Sequence, residues 1–210
     1  MATLNQAGSN NRQLMANVFA IHSVGSSIVT FLRNTYPQQA DGRTMPTCSF
    51  ELTSGGQLAG DIDETTHLSL YLYRVTVNEH SRQTRRPGTP ADGFVPLGLD
   101  LHYLLTAWAG NPLDEQVTLA WAMQQLHRFP VLDASSLSDE AGWGPDEVVQ
   151  IIPAELSNED VMRIWDALEP AYRLSVSYVA RLVRLDPDED TETFRPVVAR
   201  RHAYGREELG

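Results

Sequence analysis

Asp100 and His102 lie two residues apart in the alternating stretch Leu97-Gly-Leu-Asp-Leu-His-Tyr-Leu-Leu-Thr-Ala-Trp108, so a strand would place an acid and an imidazole on one face. Such a pair can exchange a proton or supply part of a metal shell. Zinc would need a third ligand. The remaining histidines, His22, His67, His80, His127 and His202, show no His-x-x-x-His spacing, and the lone Cys48 rules out Cys-x-x-Cys. A satisfied structural pair is the favoured reading. A metal-dependent hydrolase using Asp100, His102 and another histidine is the competing one. Val24-Gly-Ser-Ser27 lacks the second glycine of a nucleophile elbow and reads as a helix packing contact. Ser54-Gly-Gly-Gln-Leu-Ala-Gly60 has the glycines of a phosphate loop, but no lysine follows it. The sequence contains no lysine anywhere, which removes Schiff-base and lysine-dependent phosphoryl chemistry. Asp61, Asp63 and Glu64, and the run from Asp186 to Glu192, offer oxygen ligands to a hard cation; exposed acidic turns explain both more simply.

Two further sets point to contact rather than catalysis. Arg82, Arg85 and Arg86 fall in a polar link between two apolar stretches. Their guanidinium forks suit phosphate or a carboxylate-rich neighbour, and a solvated loop is an equally good account. Trp108, Trp121, Trp143 and Trp165 fall mostly on apolar faces, with core packing the default for Trp121 and Trp165. Trp143 stands between two glycines in a loop and is the better candidate for an interface. Arg82, Arg85, Arg86 and Trp143 are therefore the expected intersubunit contacts. No cofactor is expected.

The elements that must position these residues follow from periodicity. Val18, Ile21, Gly25, Ile28 and Leu32 recur at helical steps up to Tyr36-Pro37. The small residues Gly25, Ser26 and Ser27 weaken that helix by propensity but permit a close approach to a sheet. Thr47 to Thr53 reads as a short strand, with Ser54 to Gln57 a loop. His67 to Asn78 and Leu97 to Trp108 are the two main strands, joined by a long link from His80 to Pro96. Asn111 to Phe129 is a helix with Asn111 as cap, Pro112 in the first turn, and Leu119, Ala122, Met123 and Leu126 on its apolar face. Val131 and Leu132 open a loop running to Pro145, and Val148 to Ile152 reads as an edge strand. Ser157 caps a helix through Asp160, and Leu174 to Leu185 alternates as a central strand. In that strand Val176, Tyr178, Ala180 and Leu182 are expected on one side, with Val179, Arg181, Val183 and Leu185 on the other. Phe194 to Ala199 forms a last short strand, with residues 1–10 frayed, one domain over 11–199, and a mobile tail over 200–210. The class is α+β: a mixed, largely antiparallel sheet with two or three helices packed on one face.

The bulk properties narrow the function. In 210 residues, 42% are hydrophobic and 20% charged, a globular composition. The formal net charge of −11 argues against a nucleic-acid surface, which needs clustered cations. Cys48 reads as a small core residue in a reducing compartment. No apolar run suits a signal peptide or a membrane span, so synthesis and assembly in the cytoplasm are expected.

The stretches from Leu70 to Asn78 and from Leu97 to Trp108 come first in an ordered series. It continues with Glu115, Leu119-Ala-Trp-Ala-Met-Gln-Gln-Leu-His127, Pro130-Val-Leu132, Glu155-Leu-Ser157, Ile164-Trp165 and Leu174-Ser-Val-Ser-Tyr178. Taken together, the series resembles the cap, or tube-terminator, proteins of extracellular contractile injection systems. These are phage-tail-like particles such as antifeeding prophages and virulence-cassette particles. The resemblance implies a fold like that of phage tail terminators. It also implies a homohexameric ring that sits on the inner tube and contractile sheath and stops their growth. It carries over no catalytic residue. A baseplate or tail-completion adaptor is the alternative within assembly proteins, and a monomeric binding module the alternative outside them.

Overall fold

A computed structural model describes residues 16–59, 65–78, 96–168 and 170–185. The expectations for residues 1–10, Asp61, Asp63, Glu64, His80, Arg82, Arg85, Arg86, residues 186–192, 194–199 and 200–210, and His202 fall on residues outside the described ones.

The order of elements is α1 (Ala20–Thr35), β1 (Gln39–Ala40), β2 (Arg43–Thr44), β3 (Ser49–Thr53), α2 (Gly55–Leu58), β4 (His67–Val77) and β5 (Leu97–Trp108). There follow α3 (Pro112–Arg128), β6 (Val131–Asp133), β7 (Val148–Pro153), α4 (Asn158–Leu168) and β8 (Ser175–Leu185). Six strands form one sheet in the order β3-β4-β5-β8-β7-β6. Only β3 and β4 pair in parallel; the other neighbours are antiparallel. The class is α+β, and β8 is central, as the alternation predicts. β1 and β2 form a separate hairpin through Asp41 (φ 49°) and Gly42 (φ 75°), the Asp-Gly pair a type I′ turn demands.

Helices cover both faces of the sheet rather than the single face expected. On one face α1 and α3 bury Ile28, Leu32, Leu119, Trp121 and Leu126 against Phe50, Leu68, Leu70, Leu101, Tyr103 and Leu105. Each such side chain taken out of water contributes about 1.5–3 kcal/mol. On the other face α2 and α4 set Leu58, Trp165 and Leu168 against Leu104 and Trp108. The second layer exists because β5 alternates two large apolar sets: Leu101, Tyr103 and Leu105 point one way, Leu104 and Trp108 the other.

Gly25 is where α1 approaches the sheet. A Cβ there would lie 2.8 Å from Leu52 Cδ1 and 3.4 Å from the Tyr103 hydroxyl. Val18, expected on the buried stripe, precedes the helix and is 71% exposed. The helix begins at Ala20 after an Asn17 turn in which Asn17 Oδ1 accepts from Phe19 N (2.8 Å). Helix α3 begins as predicted: Asn111 Oδ1 accepts from Asp114 N at 3.0 Å and Pro112 occupies the first turn. Met123, expected on its apolar face, is exposed, and Thr118 is buried in its stead. Ser157 Oγ accepts from Asp160 N at 3.1 Å, the expected cap of α4.

Three local expectations are corrected. Ser54 to Gln57 is not a loop but the start of a helical turn: Gln57 Oε1 accepts from Ser54 N (2.8 Å) and from the Ser54 hydroxyl (3.0 Å). Val131 and Leu132 belong to β6, so β7 is an inner strand and β6 the edge. In β8 the alternation breaks, because three steps from Ala180 to Val183 match two steps from Leu101 to Leu99 on β5. The extra residue turns Val183 and Leu185 to the face of Val176, Tyr178 and Ala180.

Candidate assembly surface

The other neighbour of β5 carries the matching irregularity. Leu72 pairs with Tyr103 and Arg74 with His102, so β4 also holds one extra residue. β5 is thus flanked by a bulge on each side, which strengthens the twist of this end of the sheet. The bulge in β4 places Val75 and Val77 opposite Leu101 and Leu99 on the α1 face, and each is 44% exposed. Strand β3 accompanies β4 only from His67 to Tyr71. Beyond that point, among the described residues, the outer side of β4 has no neighbour. An uncovered strand edge is a ready template for another chain. The edge of β3 itself is partly closed, since Arg33 Nη2 donates to the Phe50 carbonyl at 2.7 Å.

On the opposite face α2 and α4 cover only the Trp108 end. The other end is polar and half-open. Asn78 Nδ2 donates to both oxygens of Asp100, at 3.2 and 3.1 Å, and the Thr76 hydroxyl meets His102 Nε2 at 3.1 Å. Tyr73 packs tilted against His102 and its hydroxyl meets Ser177 Oγ at 3.0 Å. Partial burial pulls the His102 pKa down, and the Arg74 and Arg181 guanidiniums add to this, while the Asp100 carboxylate opposes them. The uncovered strip continues over β7 and β6, where the side chains of Val148 and Val131 are exposed. It combines cations, a carboxylate and isolated apolar groups, the composition of a docking rim more than of a reaction centre.

The link that carries Arg82, Arg85 and Arg86 springs from this same end. Its base is closed by Asn78 N donating to the Gly98 carbonyl at 2.9 Å. The arginines themselves lie outside the described residues. The structure does place Trp143. The ring is half-buried against the main core, and its indole N–H donates to Ser23 Oγ at 2.9 Å. Ser23 Oγ in turn donates to the Ser138 carbonyl at 2.9 Å, while Ser27 Oγ donates to the Ser23 carbonyl (2.6 Å) and accepts from Ser138 N (2.8 Å). Ser23 and Ser27 thus tie α1 to the 138–143 loop, and Ser27 is one of the small residues that weaken the helix by propensity. Trp143 joins that tie. Sequence reasoning missed the serine network, although small polar residues on a buried helix stripe are its usual signal.

The histidines do not converge. His22 Nδ1 faces Glu140 at 3.3 Å, His67 stacks on Trp108, and His102 lies in the polar strip. Among the described residues no three His, Cys, Asp or Glu side chains come close enough to hold a metal ion. Asp100 and His102 do share a face, as predicted, but His102 is engaged by Thr76 of β4 and Asp100 by Asn78, the residue that follows β4. No described helix is long and apolar enough to cross a membrane.

Comparison with known proteins places this geometry. The chain superposes on the PVC sheath/tube terminator of an extracellular contractile injection system in its extended state, with TM-score 0.53 and 18% identity over 92% of this chain. It superposes on the tube-terminating cap of the anti-feeding prophage with TM-score 0.53 and 14% identity over 86% of this chain. The fold is theirs. The chain spans 65% and 60% of the lengths of those two proteins. No curated protein matches it. The family described as the Pvc16 N-terminal domain matches residues 23–199, most of the chain, and the protein belongs to that family.

Proposed function

We propose that this chain is a structural cap of a contractile injection particle. Copies form a closed ring on the end of the inner tube and sheath, and the ring stops further addition of subunits. The observation that carries this reading is the shared fold: 92% of the chain follows the architecture of a sheath/tube terminator. The family match over residues 23–199 supports it independently. The physical requirements agree. A terminator needs a stiff platform with docking elements at one end, and the six-stranded sheet is covered on both faces near Trp108, while at its twisted, bulged end no described helix covers the face that carries Asp100 and His102.

A six-membered ring with head-to-tail contacts would present one repeated surface to a six-fold tube. The arginine link offers Arg82, Arg85 and Arg86 as contacts to neighbouring subunits, and Trp143 offers only the ring edge that its internal packing leaves open. The role needs no bond made or broken, and assembly takes place in the cytoplasm. Imaging of particles from a strain lacking this gene tests the reading. Overlong tubes and sheaths are the expected result. Particles of normal length would overturn it, and absent particles would point to an adaptor that joins rings.

A further inference from the structure

The two bulges have one chemical consequence that the proposed function leaves unused. In β4 the extra residue sets Arg74 opposite His102, where an unbroken ladder would have turned it to the α1 face. In β8 Arg181 pairs with Gln150, on the face away from the buried Val149 and Ile151. Arg184, three residues on, would stand on the other face of a regular strand. The extra residue between Ala180 and Val183 returns it to the face of Arg181, opposite Gly98, which has no side chain. Arg74 and Arg181 are exposed, and Arg184 is half-buried. We propose that Arg74, Arg181 and Arg184 form the cationic half of the contact between neighbouring copies in the ring, and that they grip carboxylates of the next copy.

This deepens the cap reading and rests on it. Three observations carry it. The first is placement. Arg74 on β4 and Arg181 on β8 flank β5, two strand spacings or roughly 10 Å apart. Both lie close enough to His102 to act on its charge. The second is availability. Arg33 donates to the Phe50 carbonyl and Arg163 to Glu159, while Arg128 and Arg173 lie over the rings of Phe129 and Trp108. Those four act within the subunit. The corner's own carboxylate, Asp100, accepts from Asn78 on both oxygens. Asp133, on β6 at the far edge of the same face, accepts from Ser135 and Ser136.

The third observation is charge. The sequence has 27 Asp and Glu residues against 16 arginines and no lysine. Copies with a net charge of −11 repel one another, so a ring needs local points where repulsion turns to attraction. A head-to-tail contact joins two different surfaces of the same chain. Carboxylates are plentiful enough to supply one of them. Guanidinium forks, which hold a carboxylate through two parallel N–H donors, supply the other.

Photo-crosslinking in assembled particles tests this. Gln150, exposed and paired with Arg181, is replaced by p-benzoylphenylalanine, and the particles are irradiated. The expected product is an adduct of two copies of the 23.4 kDa chain. Arg74→Glu with Arg181→Glu is expected to lower its yield at least ~10-fold, since like charges then face each other. Arg74→Lys with Arg181→Lys keeps the charge and should retain most of the adduct. Melting by circular dichroism checks that each variant folds, and Arg74→Gln with Arg181→Gln takes the place of the Glu pair if that pair unfolds the chain. An adduct with a tube or sheath subunit overturns the proposal, as does the lack of any adduct, or a two-copy adduct that loss of both arginines leaves untouched. Tube length in the strain lacking the gene separates the two claims. Overlong tubes without a two-copy adduct remove this contact alone, whereas tubes of normal length remove the cap reading itself.

Discussion

Replacing Ser23 with alanine is the sharpest test of how the chain holds its 138–143 loop. Ser23 is fully buried, and its hydroxyl serves the Trp143 N–H and the Ser138 carbonyl at once. Ser23→Ala leaves a donor and an acceptor without partners in a partly buried site. A buried polar group left unsatisfied costs about 1–3 kcal/mol. Both groups here are near the surface, so the lower half of that range applies to each, and the sum is about 2–3 kcal/mol. Trp143→Phe removes the donor but keeps the Ser23–Ser138 bond, and should cost about 1–2 kcal/mol through lost ring area and one lost bond. The double variant no longer strands the indole N–H. It should be more stable than the sum of the singles by about 1 kcal/mol, as contacting residues in one network couple. Urea unfolding followed by far-UV circular dichroism gives all four corners of the cycle. The reasoning fails if Ser23→Ala costs under about 0.5 kcal/mol, the scatter of ordinary surface substitutions. It also fails if the two singles add, which would mean that the bond to Trp143 carries no weight and that the tryptophan is held by its ring alone.

Three other outcomes follow from the same geometry. Gly25→Val is expected to lower stability by about 1–3 kcal/mol through overpacking against Leu52 and Tyr103. Gly25→Ala should come close to neutral, since a helix gain of about 0.5–1 kcal/mol opposes a smaller push on the mobile end of Leu52; calorimetric melting separates the two. The Cys48 thiol, pushed up to about 12 by burial, should resist alkylation by iodoacetamide at mildly alkaline pH in the folded chain and react once urea unfolds it. His102 titrates below its ordinary value of 6.5 when folded, because burial, Arg74 and Arg181 disfavour its charge. The unfolded chain therefore binds the proton first as pH falls. The His102 contribution is complete above that ordinary value, declines as pH drops towards the folded pKa, and is flat below it. His102→Gln should remove this share of the acid sensitivity in urea midpoints, and an unchanged pH profile would contradict the assignment.

Much of this arrangement was readable from the residue order, and the parts that were not share a cause. Periodicity located α1, α3, α4, β4, β5, β7 and β8, because each carries an apolar repeat long enough to outvote local exceptions. Caps at Asn111 and Ser157 were readable because an Asn or Ser oxygen ahead of an acidic first turn has one good use. What failed was anything decided by a neighbour in space. Val131 and Leu132 are too few to signal a strand, and become β6 only because Val149 stands beside them. The buried serines of α1 look like a weakness until the 138–143 loop meets them. Of the expected contact residues, the structure describes Trp143 alone, and shows its N–H engaged on Ser23 inside the subunit.

The two bulges show why strict alternation misleads at the end of a sheet that has a task. Counting by twos along β8 sends Val183 and Leu185 to the wrong face, and along β4 it does the same to Val75 and Val77. In each case the added residue lies opposite β5 near Asp100 and His102, so the errors cluster at one corner of the molecule. A regular ladder of the same residues would have turned Arg74 and Thr76 to the α1 face and Val75 and Val77 to the opposite one. The bulges instead bring Arg74 beside His102, set Thr76 and Asn78 over Asp100, and leave Val75 and Val77 in the open. The polar strip, the uncovered strand edge and the root of the arginine link are thus products of the same two insertions. Deleting Tyr73, within the β4 bulge, should therefore restore alternation without moving a side chain to the other face: Leu72, Arg74, Val75, Thr76 and Val77 would keep Tyr103, His102, Leu101, Asp100 and Leu99 as partners. Pairing every residue of the present strand without the bulge is what would turn Arg74 and Thr76 towards the apolar core and Val75 and Val77 towards the polar strip.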